Sequence, residues 1–532
     1  MRREFLSFAV IVLLGNIFIA YLVTPKVLWS LVLLGPIILL GFYDMLQKKH
    51  TIKRNYPVFG RGRYFLEELR PKVYQYFIES DIDGTPINRI KRSLVYQRAK
   101  KVLDTSPFGT QVDVYEEGYE WMNHSIGALD AHELNQDPRT IVGSSQCTQP
   151  YACSIFNIGA MSYGSLSSHA VMALNGGAKI GGFAHNTGEG GISPFHLKYS
   201  ADVIYQVGTG YFGCRAADGT FDPDLFKTRT ADDRVKMIEL KLSQGAKPGH
   251  GGILPGKKVT AEISEIRNVP IGRDVISPPF HRAFSTPVGL LEFIAEMRRL
   301  AGGKPVGFKM CIGNKGEFIS ICKAILKTGI YPDFIAIDSA EGGTGAAPLE
   351  FSNSVGMPGR EALIFAYDTL VGFGIKHEIK LFYAGKVLSG FDIFKAIALG
   401  ADACYSARGM MLALGCIQAL LCNKNTCPVG VTTQNKELEG GLVVSDKKVR
   451  VANYHRETIV SFLELMGASG IDDLDKINRH HINRRVGSNK VKTYEEIYPT
   501  MPEGGLIDED LWPMDYHYAM KTSSENSFGI DI

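Results

Sequence analysis

The sequence predicts an α/β protein built on a (β/α)8 barrel, with an N-terminal transmembrane helical hairpin and a small α+β lead-in before the barrel. Three observations predict this fold. Two long apolar runs open the chain, short β-branched runs alternate with helix-length amphipathic segments from about residue 150 to 430, and glycine or a charged residue follows the predicted strands. Repeated strand–helix units are typical of a parallel sheet with right-handed crossovers.

The two opening runs have the length of membrane-spanning helices. Phe5–Pro25 and Val27–Tyr43 carry no charge, and Lys26 alone separates them. About 20 apolar residues cross the hydrocarbon core of a bilayer. Basic residues flank both ends of the pair, so the positive-inside rule predicts a multi-pass protein of the cell membrane whose catalytic domain is cytoplasmic. A signal peptide removed near Val23 is the alternative, although it leaves the second apolar run without a role.

Length and composition set the expected domain organisation. The 532 residues leave room for roughly two or three domains. A content of 45% hydrophobic and 21% charged residues excludes a disordered chain, and a net charge of +3 without a basic stripe argues against nucleic acid as a partner. The sequence predicts four parts: two transmembrane helices (1–50), a lead-in subdomain (51–145), the barrel with a cofactor loop (146–435), and a helical extension with a polar tail (436–532).

The later half of the barrel is the part in which strands and helices alternate most clearly. Polar or glycine-containing loops recur after several strands rather than at one switch point, which favours a barrel over the doubly wound sheet that also fits the alternation. The predicted elements are a helix at Ile87–Leu103 in the lead-in, strands at Pro305–Met310, Phe334–Ser339, Ile379–Ala384 and Ala403–Ser406, and helices at Glu317–Lys327, Arg360–Phe373, Asp392–Leu399, Met410–Leu421 and Tyr454–Met466.

Three of the nine cysteines are close together in the sequence. Cys416, Cys422 and Cys427 fall within a dozen residues, and Pro428 follows the last. This spacing suits an iron–sulfur cluster. Zinc, which usually takes four ligands, and three separate buried thiols are the alternatives. The odd total in a long chain argues against a disulfide framework.

Glycine-rich segments predict a bound cofactor. Backbone amides exposed by glycine suit a phosphate and a planar heterocycle, whereas turns between barrel elements are the alternative. Gly208–Gly213 matches the dinucleotide fingerprint, but turn-forming residues follow it instead of the required helix, so no nicotinamide site is expected there. The glycine-rich segments are Gly159–Ser165, Asn186–Gly191, Lys247–Gly252 and Gly342–Gly345.

Four charged residues in or outside these segments are candidates for chemistry. Glu189 lies between glycines and is expected to serve as a proton donor or base with a raised pKa. Lys247 and Arg267 are expected to bind the carboxylates of an acidic substrate. Lys309 ends a predicted strand, where a fixed cation stabilises the anionic form of a reduced flavin. A solvated surface position is the alternative for each.

Residues 155–436 resemble the FMN-binding synthase domain of glutamate synthase, in the stand-alone form that lacks the glutaminase domain. The motifs cover over half of the chain in collinear order. They are Gly159–Ser167, Asn186–Gly191, Gln244–Gly249, Ser277–His281, Gly342–Pro348 and the segment from Ala413 through Cys427 to Gln434.

The resemblance implies a TIM-type barrel that holds FMN beside a [3Fe-4S] cluster. It implies an oxidoreductase acting on CH–NH2 donors, which reduces the imine of 2-oxoglutarate and ammonia to L-glutamate with electrons from a ferredoxin or a reductase subunit. The residues it implies are Cys416, Cys422 and Cys427 for the cluster, Met161, Ser162, Lys309, Gly342, Gly343, Gly385 and Gly409 for the flavin, Glu189 and Lys247 for catalysis, and Lys247 and Arg267 for the substrate.

Two positions depart from the family pattern. Ile253 stands where the family has glutamine, and His250 stands where it has glutamate. Loss of an amide that bonds the substrate costs about 1–3 kcal/mol. The same redox core acting on another oxo-acid or amine is therefore one alternative, and a non-catalytic electron-transfer or scaffold protein is another.

Overall fold

The structure is a computed structural model that describes residues 1–102 and 105–529. The chain forms two compact units, one from Met1 to Ile90 and one from Lys91 onward. Leu103, the expected end of the lead-in helix, and the last three residues of the predicted tail lie outside the described residues.

The first unit is helical. Its two N-terminal segments, Arg2–Leu22 and Pro25–Leu46, are long and apolar enough to cross a membrane by length and composition, with mean hydropathies of 2.4 and 1.9. Ser30 Oγ donates to Asn16 Oδ1 at 2.5 Å and so links the two segments. The helices of this unit are α1 (Arg2–Leu22), α2 (Ser30–Leu46), α3 (Thr51–Asn55) and α4 (Gly60–Val73), with a 3-10 turn at Pro25–Trp29 and a π-helical turn at Tyr74–Ile78.

The remaining helices and strands follow in chain order. They are α5 (Arg89–Lys100), β1 (Glu120–Met122), β2 (Arg139–Val142), β3 (Tyr151–Ser154), β4 (Phe156–Ile158), α6 (Ser168–Gly181), β5 (His185–Asn186), α7 (Pro194–Leu197), β6 (Val203–Val207), α8 (Pro223–Thr230), β7 (Val235–Lys241), β8 (Ile253–Leu254), α9 (Ala261–Arg267), β9 (Val275–Ile276), α10 (Pro287–Leu300), β10 (Val306–Met310), α11 (Lys315–Thr328), β11 (Phe334–Asp338), α12 (Leu349–Ser354), α13 (Gly359–Gly372), β12 (Lys380–Ala384), α14 (Gly390–Ala398), β13 (Ala403–Ser406), α15 (Arg408–Leu414), α16 (Lys436–Gly440), α17 (Val444–Ala468), β14 (Ile482–Gly487), β15 (Lys490–Thr493), α18 (Tyr494–Ile497) and α19 (Met514–Thr522).

Eight parallel strands close into a barrel. The order β4, β5, β6, β7, β10, β11, β12, β13 follows the chain, and β13 pairs with β4 to complete the circle. Cys404 pairs with Phe156 and Ser406 with Ile158 at this closing edge. The predicted (β/α)8 barrel is confirmed, and the doubly wound sheet is wrong because the sheet has no open edge.

The hydrophobic core fills the amino-terminal end of the barrel. Ile204, Met237 and Phe382 point inward, and Val142 and Cys153 from the antiparallel hairpin β2–β3 pack against them. The hairpin therefore closes this end of the barrel, and the carboxyl end is left for the functional loops. Outside the barrel, β1, β14 and β15 form an antiparallel sheet, and β8 pairs with β9.

One predicted helix is too long. A helix was expected over Met410–Leu421, but α15 ends at Leu414 because Gly415 adopts a left-handed conformation with a φ of 107°. Gln418 and Leu420 also have positive φ values, of 55° each. Glycine readily adopts this conformation, which stops the helix. The segment that carries Cys416 and Cys422 is therefore a loop.

Candidate functional site

Charged side chains lie at the carboxyl ends of neighbouring barrel strands. Lys241, the last residue of β7, places its Nζ 3.0 Å from Oε2 of Glu189, in the turn after β5. Lys309 of β10 pairs in register with Lys241, and its Nζ lies 3.4 Å from Oδ2 of Asp338 at the end of β11. These two ion pairs are called the mouth cluster, because parallel strands end at the same mouth of a barrel.

Glu189 is ionised more readily than the sequence predicts. Burial raises the pKa of this carboxyl, but the charges of Lys241, Arg267 and Lys247 together outweigh burial, so the pKa lies below its ordinary value. The expected raised pKa is wrong, because the sequence did not indicate that Lys241 pairs with Glu189. At neutral pH the group is a carboxylate, which accepts a proton rather than donating one.

Lys247 and Arg267 are two buried cations beside Glu189. Lys247 is 2% exposed and donates from Nζ to the carbonyl oxygen of Ala346 at 3.0 Å. Arg267 is 4% exposed and donates from Nη2 to the carbonyl oxygen of Tyr163 at 2.8 Å. Within residues 1–102 and 105–529, neither cation forms an ion pair with a carboxylate, and Nε of Arg267 has no hydrogen-bond partner.

Burial acts on the ionisation of both cations. It lowers the pKa of Lys247 below its ordinary value, and it lowers the pKa of Arg267 to about 10, while Glu189 opposes the shift in each case. Arg267 therefore remains positively charged near neutral pH, and Glu189 favours the charged form of Lys247. A buried charge that lacks a carboxylate partner is costly, so this pair of cations is suited to receive anionic groups.

Lys309 keeps its charge although it is buried. Burial lowers the pKa of this ammonium, but Asp338, Glu239 and Glu189 outweigh burial and raise the pKa above its ordinary value. Glu239, on the same inner surface of the barrel, accepts from the amides of Asn186 and Gln206 at 2.9 and 2.6 Å. The barrel mouth therefore holds a fixed cation above a hydrogen-bonded polar layer.

The loop after β4 approaches the loop after β5 very closely. Gly188 has a φ of 65°, and a Cβ built on it would lie 2.6 Å from the backbone nitrogen of Ser162 and 2.8 Å from the carbonyl carbon of Met161. Ser162 Oγ also accepts from Nη2 of Arg267 at 3.3 Å. The structure thus brings Met161 and Ser162 next to Arg267 and the turn that carries Glu189.

The other glycines predicted to contact a cofactor follow β11, β12 and β13. A Cβ on Gly342 would lie 3.0 Å from the nitrogen of Ala246, and a Cβ on Gly343 would lie 2.9 Å from Cδ of Arg408. A Cβ on Gly385 or Gly409 would collide with neighbouring hydroxyl groups. A side chain at any of these four positions would meet protein atoms, so the packing of the loops themselves requires glycine there. Lys309, a buried cation at the same end of the barrel, suits an anionic ring or a phosphate.

The three cysteines share the loop after α15. Burial raises the pKa of Cys416 to about 11, and Cys422 and Cys427 are near enough to contribute. Burial also raises the pKa of Cys427, but N–H groups of its own loop outweigh burial and lower it below the ordinary value. Across the described ranges, which omit 103–104 and 530–532, no group of three or more His, Cys, Asp or Glu side chains is arranged to hold a metal ion. The donor chemistry suits a cluster, although the predicted ligands do not form a metal site in this structure.

Sequence reasoning missed Lys258, which lies beside the cysteine loop. Its Nζ donates to the carbonyl oxygens of Ser165, Cys422 and Thr432 at 3.2, 3.0 and 2.9 Å. It also missed Lys241 and Asp338 of the mouth cluster. Their positions at the last residues of β7 and β11 were the available signal, since strand ends form the barrel mouth.

A family model covers most of the second unit. The model described as the conserved region in glutamate synthase matches residues 97–472. The chain belongs to the glutamate synthase family. The resemblance drawn from the motifs is therefore confirmed, and this glutamate synthase family member is an oxidoreductase of the class that acts on CH–NH2 donors.

Several curated proteins are similar to this glutamate synthase family member. The glutamate synthase large subunit-like protein YerD of Bacillus subtilis is 37% identical over 488 residues, which are 84% of this chain and 93% of that protein. The archaeal glutamate synthase [NADPH] of Methanocaldococcus jannaschii is 36% identical over 336 residues, 63% of this chain and 62% of that protein. The archaeal-type glutamate synthase [NADPH] of Thermotoga maritima is 34% identical over 330 residues, 62% of each. The chain thus spans less than two thirds of the two NADPH-named relatives.

Solved structures resemble the fold more distantly. A flavocytochrome b2 mutant with benzoylformate has a TM-score of 0.43 and 14% identity, and covers 83% of this chain and 92% of its own. A mandelate oxidase variant with 4-Br-2-hydroxy-methylphenylacetate has a TM-score of 0.41 and 15% identity, and the match covers 81% of this chain and 99% of that one.

Proposed function

We propose that this glutamate synthase family member uses FMN to reduce the imine formed from 2-oxoglutarate and ammonia, giving L-glutamate. One observation carries the proposal: the two buried cations Lys247 and Arg267 lie beside Glu189 and donate to uncharged oxygens rather than to carboxylates. A dicarboxylate substrate supplies the two negative charges that these cations lack. Bidentate arginine–carboxylate bonds also fix orientation.

The residues of the mouth have separate roles in the proposed reaction. Lys247 and Arg267 bind and orient the carboxylates of the oxo-acid. Glu189, ionised beside Lys241, accepts a proton from the nitrogen as ammonia adds to the carbonyl carbon and returns it to the hydroxyl group that leaves as water. FMN held in this mouth would supply a hydride for the imine carbon, and water would supply the proton for the nitrogen. Lys309, charged because Asp338 and its neighbours favour the ammonium, places a fixed positive charge at the site we assign to the flavin.

The test is anaerobic reoxidation of the reduced protein. The purified chain is reduced chemically, mixed with 2-oxoglutarate and ammonium, and followed by flavin absorbance, with glutamate quantified at the end. We expect reoxidation and stoichiometric glutamate. Arg267→Met should raise the KM for the oxo-acid by about tenfold or more, since hydrogen bonds to charged groups contribute about 1.5–3 kcal/mol. Arg273→Met, a substitution outside the site, is the control. A protein without flavin absorbance, or one reoxidised no faster than in buffer, contradicts the proposal.

A second substrate is favoured by one contact in the loop that carries Lys247. His250 stacks edge-on against Phe351 of α12, with ring centroids 5.3 Å apart, and Ile253 places an apolar side chain at the start of β8. These groups offer apolar surface where the family places polar side chains. An alkylamine in place of ammonia, or another oxo-acid, suits this surface. Faster reoxidation by 2-oxoglutarate with methylamine than with ammonium selects this alternative.

We also propose that Cys416, Cys422 and Cys427 bind a [3Fe-4S] cluster that receives electrons from a ferredoxin or a reductase subunit. The donor set supports it: three thiols share one loop, and N–H groups favour the thiolate of Cys427. Iron and sulfide analysis with electron paramagnetic resonance of the oxidised protein tests it. Cys422→Ser should lose the signal, and the buried Cys322→Ser should keep it. A wild-type protein without iron contradicts the assignment.

We propose further that the first unit anchors the protein in the cell membrane as a helical hairpin, with the barrel in the cytoplasm. The support is the length and hydropathy of the two N-terminal segments and the basic residues at both ends. Alkaline carbonate extraction of cell membranes tests the anchor. Retention in the pellet with an uncleaved N-terminus supports the hairpin, whereas cleavage near Val23 supports the signal peptide.

A further inference from the structure

The helix that follows the proposed hairpin has an exposed apolar face. In α4 and the π-helical turn after it, Phe65 is 64% exposed, Leu66 62%, Phe77 84% and Ile78 64%. At 100° per residue, Phe65, Leu66, Leu69 and Val73 fall on one side of α4. Exposed apolar faces of this kind mark interaction sites rather than ordinary protein surface.

The rest of this segment is strongly basic. Between residues 47 and 78 the sequence contains eight lysines and arginines and two glutamates, Glu67 and Glu68. Arg63, Arg70 and Lys72 are exposed on α4 itself. Tyrosines 64, 74 and 76 add aromatic rings, which are enriched where a membrane meets water. An apolar face flanked by cations and aromatic rings has the composition of a helix that lies in an anionic lipid surface.

The first unit holds this helix in place at the end of α2. Asp44, in the last turn of α2, is fully buried and accepts from Nε and Nη2 of Arg61 at 2.9 and 2.8 Å. It also accepts from the backbone N–H of Val58 at 3.1 Å. A Cβ on Gly60 would lie 2.8 Å from the carbonyl oxygen of Ile52, so α3 and α4 are in close contact. The orientation of α4 relative to the end of α2 is therefore fixed by the fold.

We infer that α4 and the following π-helical turn form a second membrane contact, which lies in the interface of an anionic bilayer with its Phe65–Leu66 side toward the acyl chains. The inference extends the proposed hairpin. Charge complementarity selects anionic lipid as the occupant, and continuity with α2 places the helix close to the membrane surface.

The test compares tryptophans on opposite sides of α4 in the full chain. Leu66→Trp reports the apolar side, and Glu68→Trp reports the opposite side; both positions are exposed, so neither substitution enters a core. The proteins are reconstituted in vesicles of equal parts phosphatidylcholine and phosphatidylglycerol, with acyl chains brominated near the carbonyl end. The parent chain supplies the background of the three native tryptophans.

We expect the added emission of Leu66→Trp to shift to the blue and to lose most of its intensity to the brominated lipid. Glu68→Trp should be quenched by aqueous acrylamide instead. In Leu66→Trp, adding Arg70→Glu and Lys72→Glu should remove the lipid quenching. Vesicles of phosphatidylcholine alone, or high salt, should weaken it.

Three results overturn the inference. Equal acrylamide quenching of both tryptophans in anionic vesicles shows that the face remains in water. If the tryptophan of Leu66→Trp is protected from acrylamide equally well in detergent, and this protection depends on protein concentration, then a second copy of the chain covers the apolar face. If the parent chain does not float with either vesicle type, the proposed hairpin is wrong as well. If the chain floats but the two tryptophans behave alike, the hairpin stands and only this second contact is wrong.

Discussion

Lys241 controls the ionisation of Glu189 within the mouth cluster. The two side chains form an ion pair in a site where burial alone would raise the pKa of the carboxyl. Lys247 and Arg267 contribute smaller effects on the same carboxyl. The reaction we propose needs the carboxylate form, so the role of Lys241 is measurable as a pH dependence.

Lys241→Met is expected to raise the pKa of Glu189, because burial then outweighs the remaining cations. The acid limb of the pH profile of kcat/KM for glutamate formation should move to higher pH by about one pH unit. This shift corresponds to about 1.4 kcal/mol of lost stabilisation of the carboxylate. Lys236→Met, at the half-buried start of the same strand, should leave the acid limb where it is, because this residue lies at the opposite end of the strand from Lys241. An acid limb that is identical in the parent and Lys241→Met would show that another group controls it.

Lys258 is a single residue that contributes to the stability of the fold through its hydrogen bonds. Lys258→Met leaves three carbonyl oxygens without their donor, and we expect the free energy of unfolding to fall by about 3 kcal/mol. Denaturant unfolding followed by tryptophan fluorescence measures the change. Its neighbour Lys257 is exposed, so Lys257→Met should change the free energy by less than about 0.5 kcal/mol.

At the scale of elements, the contact between α6 and α17 depends on Gly177. A Cβ on Gly177 would lie 2.5 Å from Cγ1 of Val451 and 2.9 Å from the carbonyl oxygen of Lys448. The absence of a side chain therefore lets the two helices approach each other closely. Helix α17 is the longest of the described helices, with 25 residues, so this contact secures a large part of the outer layer.

Gly177→Ala is expected to lower the free energy of unfolding by about 1–3 kcal/mol, since the added methyl group meets backbone and a stiff branched side chain. Thermal and denaturant unfolding measure the loss. Gly440→Ala is the matched control, because a Cβ there has open space around it. Equal stability of both variants would mean that α17 moves away at little cost.

Four strands of the barrel, β10 to β13, were predictable because each is a short apolar run between polar or glycine-containing turns. Ala403–Ser406 has the predicted bounds, and Phe334 begins β11 as predicted. The end of α15 was not predicted, because hydrophobic periodicity continues past Gly415 while the backbone changes to a left-handed conformation there. Periodicity indicates which side chains face a core, but it does not indicate local backbone angles.

The candidate site was predictable only in part. Glu189 and Lys247 were found because glycine-rich loops and family motifs contain them, and Arg267 was found as a cation expected to bind a carboxylate. The structure brings the three together. Lys241 and Lys258 look like ordinary lysines in the sequence, since their partners are distant in the chain: Glu189 for the first, and carbonyl groups of residues 165, 422 and 432 for the second. Such pairings depend on tertiary structure.

At the scale of the whole molecule, buried neutral histidines connect folding to pH. Burial lowers the pKa of His185 and His455 to about 3 and that of His281 to about 4. An unfolded histidine has a pKa of about 6.5, so the unfolded chain binds these protons first as the pH falls. The stability that the neutral imidazoles contribute is complete above pH 6.5 and is lost as the pH falls toward the folded values.

Each of these histidines is expected to reduce the free energy of unfolding by about 2 kcal/mol between pH 7 and pH 5. Urea unfolding at the two pH values measures the total. His455→Gln retains an acceptor for Ser154 and should lose less stability over this interval than the parent. A parent chain equally stable at pH 7 and pH 5 would show that these rings are protonated in the folded state.

The ammonium of Lys258 joins a loop of the barrel mouth to the cysteine loop, since Ser165 belongs to the first and Cys422 to the second. One cation thereby fixes the spacing of segments that are remote in sequence. For any electron carrier bound to those cysteines, a fixed spacing means that its surroundings rearrange little when an electron moves. Such a carrier would have a lower reorganisation energy for the transfer, which would allow fast exchange at a modest driving force.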